Sequence, residues 1–550
     1  MSFGYYPRPK VRLSKHFYHP ERKFTCGMGK LIPCFYEEVL PGDIWKFNGK
    51  ALVRTQPLIA PIYHRVDVKY MFYYVPYRLL MKPDEWASFI TGYEQSDGSS
   101  TSVVLPSIKS PAGGFETSSL ADYLGLVTGV GNFTSTSGAF AFRAYAKVIN
   151  DWYINKYVTD ELPLSLEQGP DETTNRDLFS MNWEDDYFTS ASTTTQLGET
   201  VYLPLGTSAP VKSVSGVNNG VQSALLAVKA TTGNPLSPAE FKTVSIGTAD
   251  GYKNAFTMSS GSTGYTSTDA IAIGNLQADL NSATALTVPE LRKVSQISLY
   301  QETMAYIGYR LVDWLFGMYG VRSSDARLQR SEFLGGTMSP LDISSVVQTS
   351  ATNDTDTPQG NLSGLAVSGA RFPTWKRRFE EHGAVIGLMC IMPRTGYQQG
   401  SRRMFNRTTR FDYGIPMLQH LGQQPILEKE LYAQADGSST TVSGVSVTND
   451  TTFGYQWQYE DYRYMPSTSH GDFKNTLQYW TLDRTFTQPP LLNTSFVQSQ
   501  PSNRVFAVED EKFDTCLVDI LYNIKAWRPI ARHGVPGYLD HPMIFGRGGL

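Results

Sequence analysis

Cysteine is scarce in this chain: four residues in 550, at Cys26, Cys34, Cys390 and Cys516. Thiols so few and so far apart exclude a disulfide scaffold and predict free, mostly buried cysteines in a reducing compartment. Charge is sparse too, with 18% Asp, Glu, Lys and Arg, a net charge of −3 and a pI near 6.3. That balance excludes a globally basic nucleic-acid binder, so any contact with nucleic acid must be local. The longest apolar run, Ala384–Met392, is about half the ~20 residues a bilayer-spanning helix needs. The opening MSFGYYPRPK lacks the apolar core of a signal peptide. The expectation is a soluble protein made in the cytoplasm, without membrane insertion.

Signatures of catalysis are missing as well. Neither G-x-x-x-x-G-K-[ST] nor G-x-G-x-x-G occurs, nor a G-x-S-x-G elbow, nor H-E-x-x-H. His16, His19, Cys26 and Cys34 are close in sequence, but without C-x-x-C spacing chance clustering is the better account. Glu37/Glu38, Asp185/Asp186 and Glu380/Glu381 are adjacent acids, which on a strand point to opposite faces and so read as solvated surface. No enzyme, cofactor or metal is expected.

What the chain has in quantity is turns and rings: 47 Gly, 31 Pro, 32 Tyr and 28 Phe, a composition that favours β architecture with broad contact surfaces. Val66–Val75, VDVKYMFYYV, alternates with period two and carries no polar face, as a strand covered on both sides would. Leu31–Leu40 and Leu52–Ala60 precede it as strand candidates, and Ala384–Met392, Tyr455–Tyr464 and Cys516–Trp527 follow. Strands so distant must pair non-locally. Helices are predicted over Pro83–Gly92 and Phe142–Tyr157, the latter with an aromatic face. A third starts at the capping box of Thr287 and Glu290 and reaches about Gly317, with Leu291, Val294, Ile297, Met304, Ile307, Leu311 and Leu315 as a buried stripe.

Four sections follow from this reading. Residues 1–30 form a basic, aromatic arm. Its Arg8, Lys10, Arg12, Lys15, Arg22 and Lys23, interleaved with Phe and Tyr, suit single-stranded nucleic acid, although the same arm could pack on a neighbouring subunit. Residues 31–205 begin the body. Residues 206–287, rich in Ser, Thr and Gly and nearly free of aromatics, read as a β-rich insertion. Residues 288–550 complete the body and contain an arginine cluster that includes Arg377, Arg378, Arg402, Arg403, Arg407 and Arg410. Because those arginines flank a buried strand and aromatic segments, subunit-interface ion pairs are expected of them.

Several segments, in shared order, resemble the major capsid proteins of the microviruses, in the gokushovirus branch. They include MGKLIPCFYEEVLPGD (28–43), APIYHRVDVKYMFYYVPYRLL (60–80), FRAYAKVINDWY (142–153), SSDARLQRSEFLGG (323–336), RTGYQQGSRRMFNRTTRFDY (394–413), YEDYRYMPSTSHGDF (459–473) and VPGYLDH (535–541). The resemblance implies an eight-stranded antiparallel viral jelly roll with long insertions and several helices. It implies self-assembly, through pentamers, into a T=1 icosahedral shell around circular single-stranded DNA, in a virion formed in a bacterial cytoplasm. It also implies a small basic internal DNA-binding protein as partner. The insertion at 206–287 stands where the family forms three-fold protrusions, a candidate surface for a host receptor. A β-rich phage adhesion or glycan-binding protein is the alternative.

Overall fold

A computed structural model describes residues 13–91, 103–196, 288–307, 311–349, 359–508 and 513–530. It also describes residues 198 and 510 and four short strands, Val211–Ser213, Ser245–Ile246, Phe256–Thr257 and Leu276–Ala278. The chain divides into two compact units, Met1–Thr195 with Met304–Leu550, and Gln196–Thr303.

Within the first unit two antiparallel sheets dominate. Their strands are β1 (Ser14–Tyr18), β2 (Glu21–Cys26), β3 (Ile32–Val39), β4 (Ile44–Thr55), β5 (Val66–Pro76), β6 (Glu332–Pro340), β7 (Asp342–Val347), β8 (Leu362–Arg371), β9 (Trp375–Arg378), β10 (Gly383–Pro393) and β11 (Cys516–Arg528). The four-stranded sheet runs β6-β5-β10-β3. The seven-stranded one runs β1-β11-β4-β8-β7, with β2 also on β11 and β9 also on β4. The protein is mainly β, as its composition predicts.

The two sheets meet through rings. Phe47 of β4 lies 4.7 Å from Phe72 of β5 between centroids, Phe35 of β3 lies 4.9 Å from Tyr522 of β11, and Tyr70 lies 5.0 Å from Phe372. The Tyr522 hydroxyl donates to the Cys34 carbonyl at 2.7 Å, so this buried phenol is satisfied across the core. The reverse face of the four-stranded sheet is covered by the helix Ala139–Trp152 (α1), whose Phe140, Phe142, Tyr145, Val148 and Ile149 pack with Tyr73, Val75, Ile386, Leu388 and Cys390. That explains β5 and β10. Val66, Val68, Tyr70, Phe72 and Tyr74 face the other sheet while Tyr73 and Val75 lie under α1. Every residue of β10 is buried. Gly387 on β10 has no room for a side chain, since a Cβ would come 2.7 Å from the Phe72 ring and 2.9 Å from Phe35.

Arg143, on the same helix, has no exposed surface. It donates from Nε to Asp171 at 2.7 Å, from Nη1 to the Leu80 carbonyl at 2.8 Å and from Nη2 to the Glu167 carbonyl at 2.7 Å. The charge thus ties two loops, one at Leu80 and one spanning Glu167 and Asp171, to the helix. All four cysteines are buried and free, and burial pushes the Cys390 and Cys516 thiols up to about 12.

Residues 14–26 do not form a free arm. β1 and β2 both pair antiparallel with β11, from Ser14 opposite Arg528 to Cys26 opposite Cys516. They make one edge strand interrupted at Pro20, where the missing N–H would break a ladder bond. Residues 1–12, with Arg8, Lys10 and Arg12, lie outside the described residues, as do 535–541 and most of 206–287. The long helix predicted from Thr287 takes the form of Val288–Ile307 (α2) and Leu311–Tyr319 (α3). Its stripe is not core: Leu291 is 47% exposed and Leu311 is 58% exposed. An apolar periodicity records that a face is to be covered, and leaves open by what.

Candidate assembly surface

The arginine cluster separates into pairs made within the chain and cations left free. Arg377 extends from β9 to Glu332 on β6. The turn Arg403–Phe405 brings Arg403 Nη1 to Glu430 Oε1 at 3.1 Å, and Glu430 also accepts from the Leu427 amide and the Tyr187 hydroxyl. Burial raises the Glu430 carboxyl, and the Arg403 guanidinium opposes that rise. Arg407 Nη2 reaches Asp461 Oδ2 at 2.7 Å, and its guanidinium lies 4.4 Å from the Tyr462 ring centre. Its Nε is buried without a hydrogen-bond partner. Arg402 and Arg410 are exposed and form no ion pair among the described residues, Arg410 lying 4.7 Å from the Phe411 ring centre. Arg378 is likewise exposed on β9.

Arg402, Arg403 and Arg407 border a cavity of about 320 Å³ that is also lined by Tyr187, Tyr397, Tyr462 and Met465. The segments that carry its lining also expose many large apolar side chains. Phe405 is 71% exposed, Met417 is 90% exposed and Met465 is 87% exposed, with Phe411, Tyr413 and Leu421 also over half exposed. Exposed apolar groups in such density mark a protein–protein surface more often than a solvated loop. The arginine reading therefore holds two kinds of residue. Arg377, Arg403 and Arg407 hold their own chain together, whereas Arg378, Arg402 and Arg410 are open. The apolar residues escaped notice in the sequence because they are dispersed among polar ones, in RRMF, IPML and RYMP.

At the N-terminal edge, Lys15 is exposed on β1 with its Nζ 4.8 Å from the Phe17 ring centre. Lys23 pairs with Glu21 at 3.2 Å. Arg22 is half-buried and donates to the Tyr123 carbonyl, which makes it part of the fold's edge. Among the described residues no group of three or more His, Cys, Asp or Glu side chains converges as a metal site would require.

A two-sheet β body that leaves a large apolar surface uncovered defines a structural protein built to associate. The comparison with known proteins agrees: residues 9–538 match the phage family described as capsid protein (F protein), and the chain belongs to that family. Capsid protein VP1 of Bdellovibrio phage phiMH2K is 34% identical over 97% of both chains. Capsid protein VP1 of Chlamydia phage 1 is 32% identical over 97% of both, and that of Spiroplasma virus 4 is 28% identical over 96% of this chain and 95% of its own. The resemblance drawn from the motifs stands, and the chain is a structural capsid protein, a component of a virion.

Proposed function

We propose that this protein is the repeating subunit of a small shell, T=1 and built through pentamers, that encloses a circular single-stranded DNA genome. It assembles in the bacterial cytoplasm alongside a small, very basic internal protein, whose charge fits a capsid subunit that is itself mildly acidic. The jelly-roll wiring of its two sheets belongs to the same reading. The observation that carries the proposal is the exposed apolar surface around Arg402 and Phe405, because a shell needs large self-adhesive faces and no active site. Arg378, Arg402 and Arg410, without an ion-pair partner among the described residues, supply ion pairs to neighbouring copies. The insertion at 206–287 forms surface protrusions that meet a host receptor.

Expression of the full chain, followed by sedimentation and negative-stain microscopy, tests the core of this. Pentamers or closed shells support it. A persistent monomer that binds glycans would replace it with an adhesion role.

A further inference from the structure

The outward face of the seven-stranded sheet carries a pattern visible only once the strands are in register. Phe17 of β1 lies opposite Lys525 of β11, Lys525 opposite Lys46 of β4, and Lys46 opposite Lys376 of β9. One ladder step away, Lys15 lies opposite Trp527, Trp527 opposite Ile44, and Ile44 opposite Arg378. Toward the other end Lys50 sits between Leu521 and Arg371. Alternation confirms the side: the residues between, Trp45, Phe47, Ile524 and Ala526, are buried in the core.

Among the described residues Lys15, Lys46, Lys50, Lys376, Arg378 and Lys525 form no ion pair. The acids of this face are Glu21, held by Lys23, Asp519, whose cross-strand partner is Lys23, and Asp342 at the far edge on β7, opposite Val367 of β8. Two rings are set among the cations. Lys15 Nζ and Lys525 Nζ lie 4.8 and 5.9 Å from the Phe17 ring centre, and Lys15 and Lys376 lie 5.8 and 5.7 Å from that of Trp527.

Like charges directly opposite on neighbouring strands destabilise a sheet. Strands lie only ~4.8 Å apart, so three lysines abreast across β11, β4 and β9 break a local rule. Among the described residues no acid pairs with them, and the Phe17 and Trp527 rings offer Lys525 and Lys376 only the weaker cation–π contact. Such a break marks a function. The matching ligand is a flexible polyanion with stackable rings: cations spaced across the strands follow its phosphates, and Phe17 and Trp527 take its bases. We propose that this sheet face binds single-stranded DNA, with the Lys525–Lys46–Lys376 row as its electrostatic centre. The inference rests on the reading of the protein as the subunit of a DNA-enclosing shell, and it adds residues that the basic N-terminal segment alone does not contain.

The test uses the unassembled full chain and fluorescein-labelled oligothymidylate, with anisotropy read over a salt series. Replacing Lys46, Lys376 and Lys525 together by Gln is expected to flatten the log–log salt slope by about 2, at ~0.7 per phosphate contact on a single strand. Phe17→Ala is expected to weaken binding roughly tenfold with the slope unchanged. A variant with Gln at Arg8, Lys10 and Arg12 measures the contribution of the N-terminal segment separately. An unchanged slope in the triple variant, with its melting curve intact, overturns the proposal. So does poly-L-glutamate competing as well as oligothymidylate at equal charge, which would give the face to an acidic protein. Shell formation is scored independently: a wild-type chain that forms no shell overturns the proposed T=1 assembly, whereas a chain that forms shells but shows an unchanged slope in the triple variant overturns only the DNA-binding face.

Discussion

Arg143 shows how one side chain can fasten a helix. Its guanidinium is matched by Asp171 and two backbone carbonyls in a fully buried setting. Burial alone would raise the Asp171 carboxyl, but hydrogen bonds from Thr174 and Arg143 outweigh it and hold the group below its usual range. The stability this contributes is present above the ordinary Asp range and is lost as pH falls through the depressed value. Arg143→Ala leaves the buried carboxylate without its counter-ion, held only by hydrogen bonds from Thr173 and Thr174, with an expected loss of about 3–5 kcal/mol, read as a lowered denaturation midpoint. Glu428 has the opposite character. It is buried with Oε1 unpartnered, and burial pushes its carboxyl up to about 8. The folded state therefore holds a proton that the unfolded chain releases near its ordinary value of ~4.3. Stability on this account falls as pH rises between those values. Glu428→Gln is expected to flatten that dependence and to stabilise the protein at pH 8 by ~1–3 kcal/mol, measured by thermal melts across pH.

At the scale of elements, the uncovered surface around Phe405 invites direct challenge. Phe405→Asp and Met465→Asp alter side chains that touch mostly solvent in the free subunit, so monomer stability should move by less than ~0.5 kcal/mol. Assembly should fail or need much higher protein concentration, as read by sedimentation. Normal shells from both variants would remove this surface from the assembly contacts. The same scale shows what could be read from the sequence. β5 and β10 were legible because each is apolar on both faces, and α1 because its aromatic residues recur at helical spacing. The predicted strand Leu52–Ala60 meets β4 only over the last four residues of β4, Leu52–Thr55. Trp45, Phe47, Ala51 and Val53 do alternate with Lys46, Asn48 and Lys50 along Ile44–Thr55, but Gly49 breaks the run of large side chains. The stripe on α2 and α3 was legible as apolar but misplaced in the core. Glu430 and Asp461, which neutralise Arg403 and Arg407 from 27 and 54 residues away, were beyond any local pattern. The lysine row was equally hidden, since its members lie on strands joined only by non-local pairing.

For the whole molecule, the separate compactness of Gln196–Thr303 suits a segment that can be removed without dismantling the rest. Deleting residues 210–285 is expected to leave particles that assemble yet lack protruding density by electron microscopy. Failure to assemble would make the segment part of the scaffold. The pairing of β11 with β4, β1 and β2 has a consequence of another kind. The seven-stranded sheet joins residues near 20 and near 50 to a strand that begins at Cys516, so ribosomal synthesis must pass nearly the whole chain before that sheet can close. A prematurely terminated polypeptide lacks the strand that lies between β1 and β4, and offers two raw edges where the finished protein has a ladder. A polypeptide stopped before Cys516 therefore cannot close the seven-stranded sheet, however well its earlier strands are made.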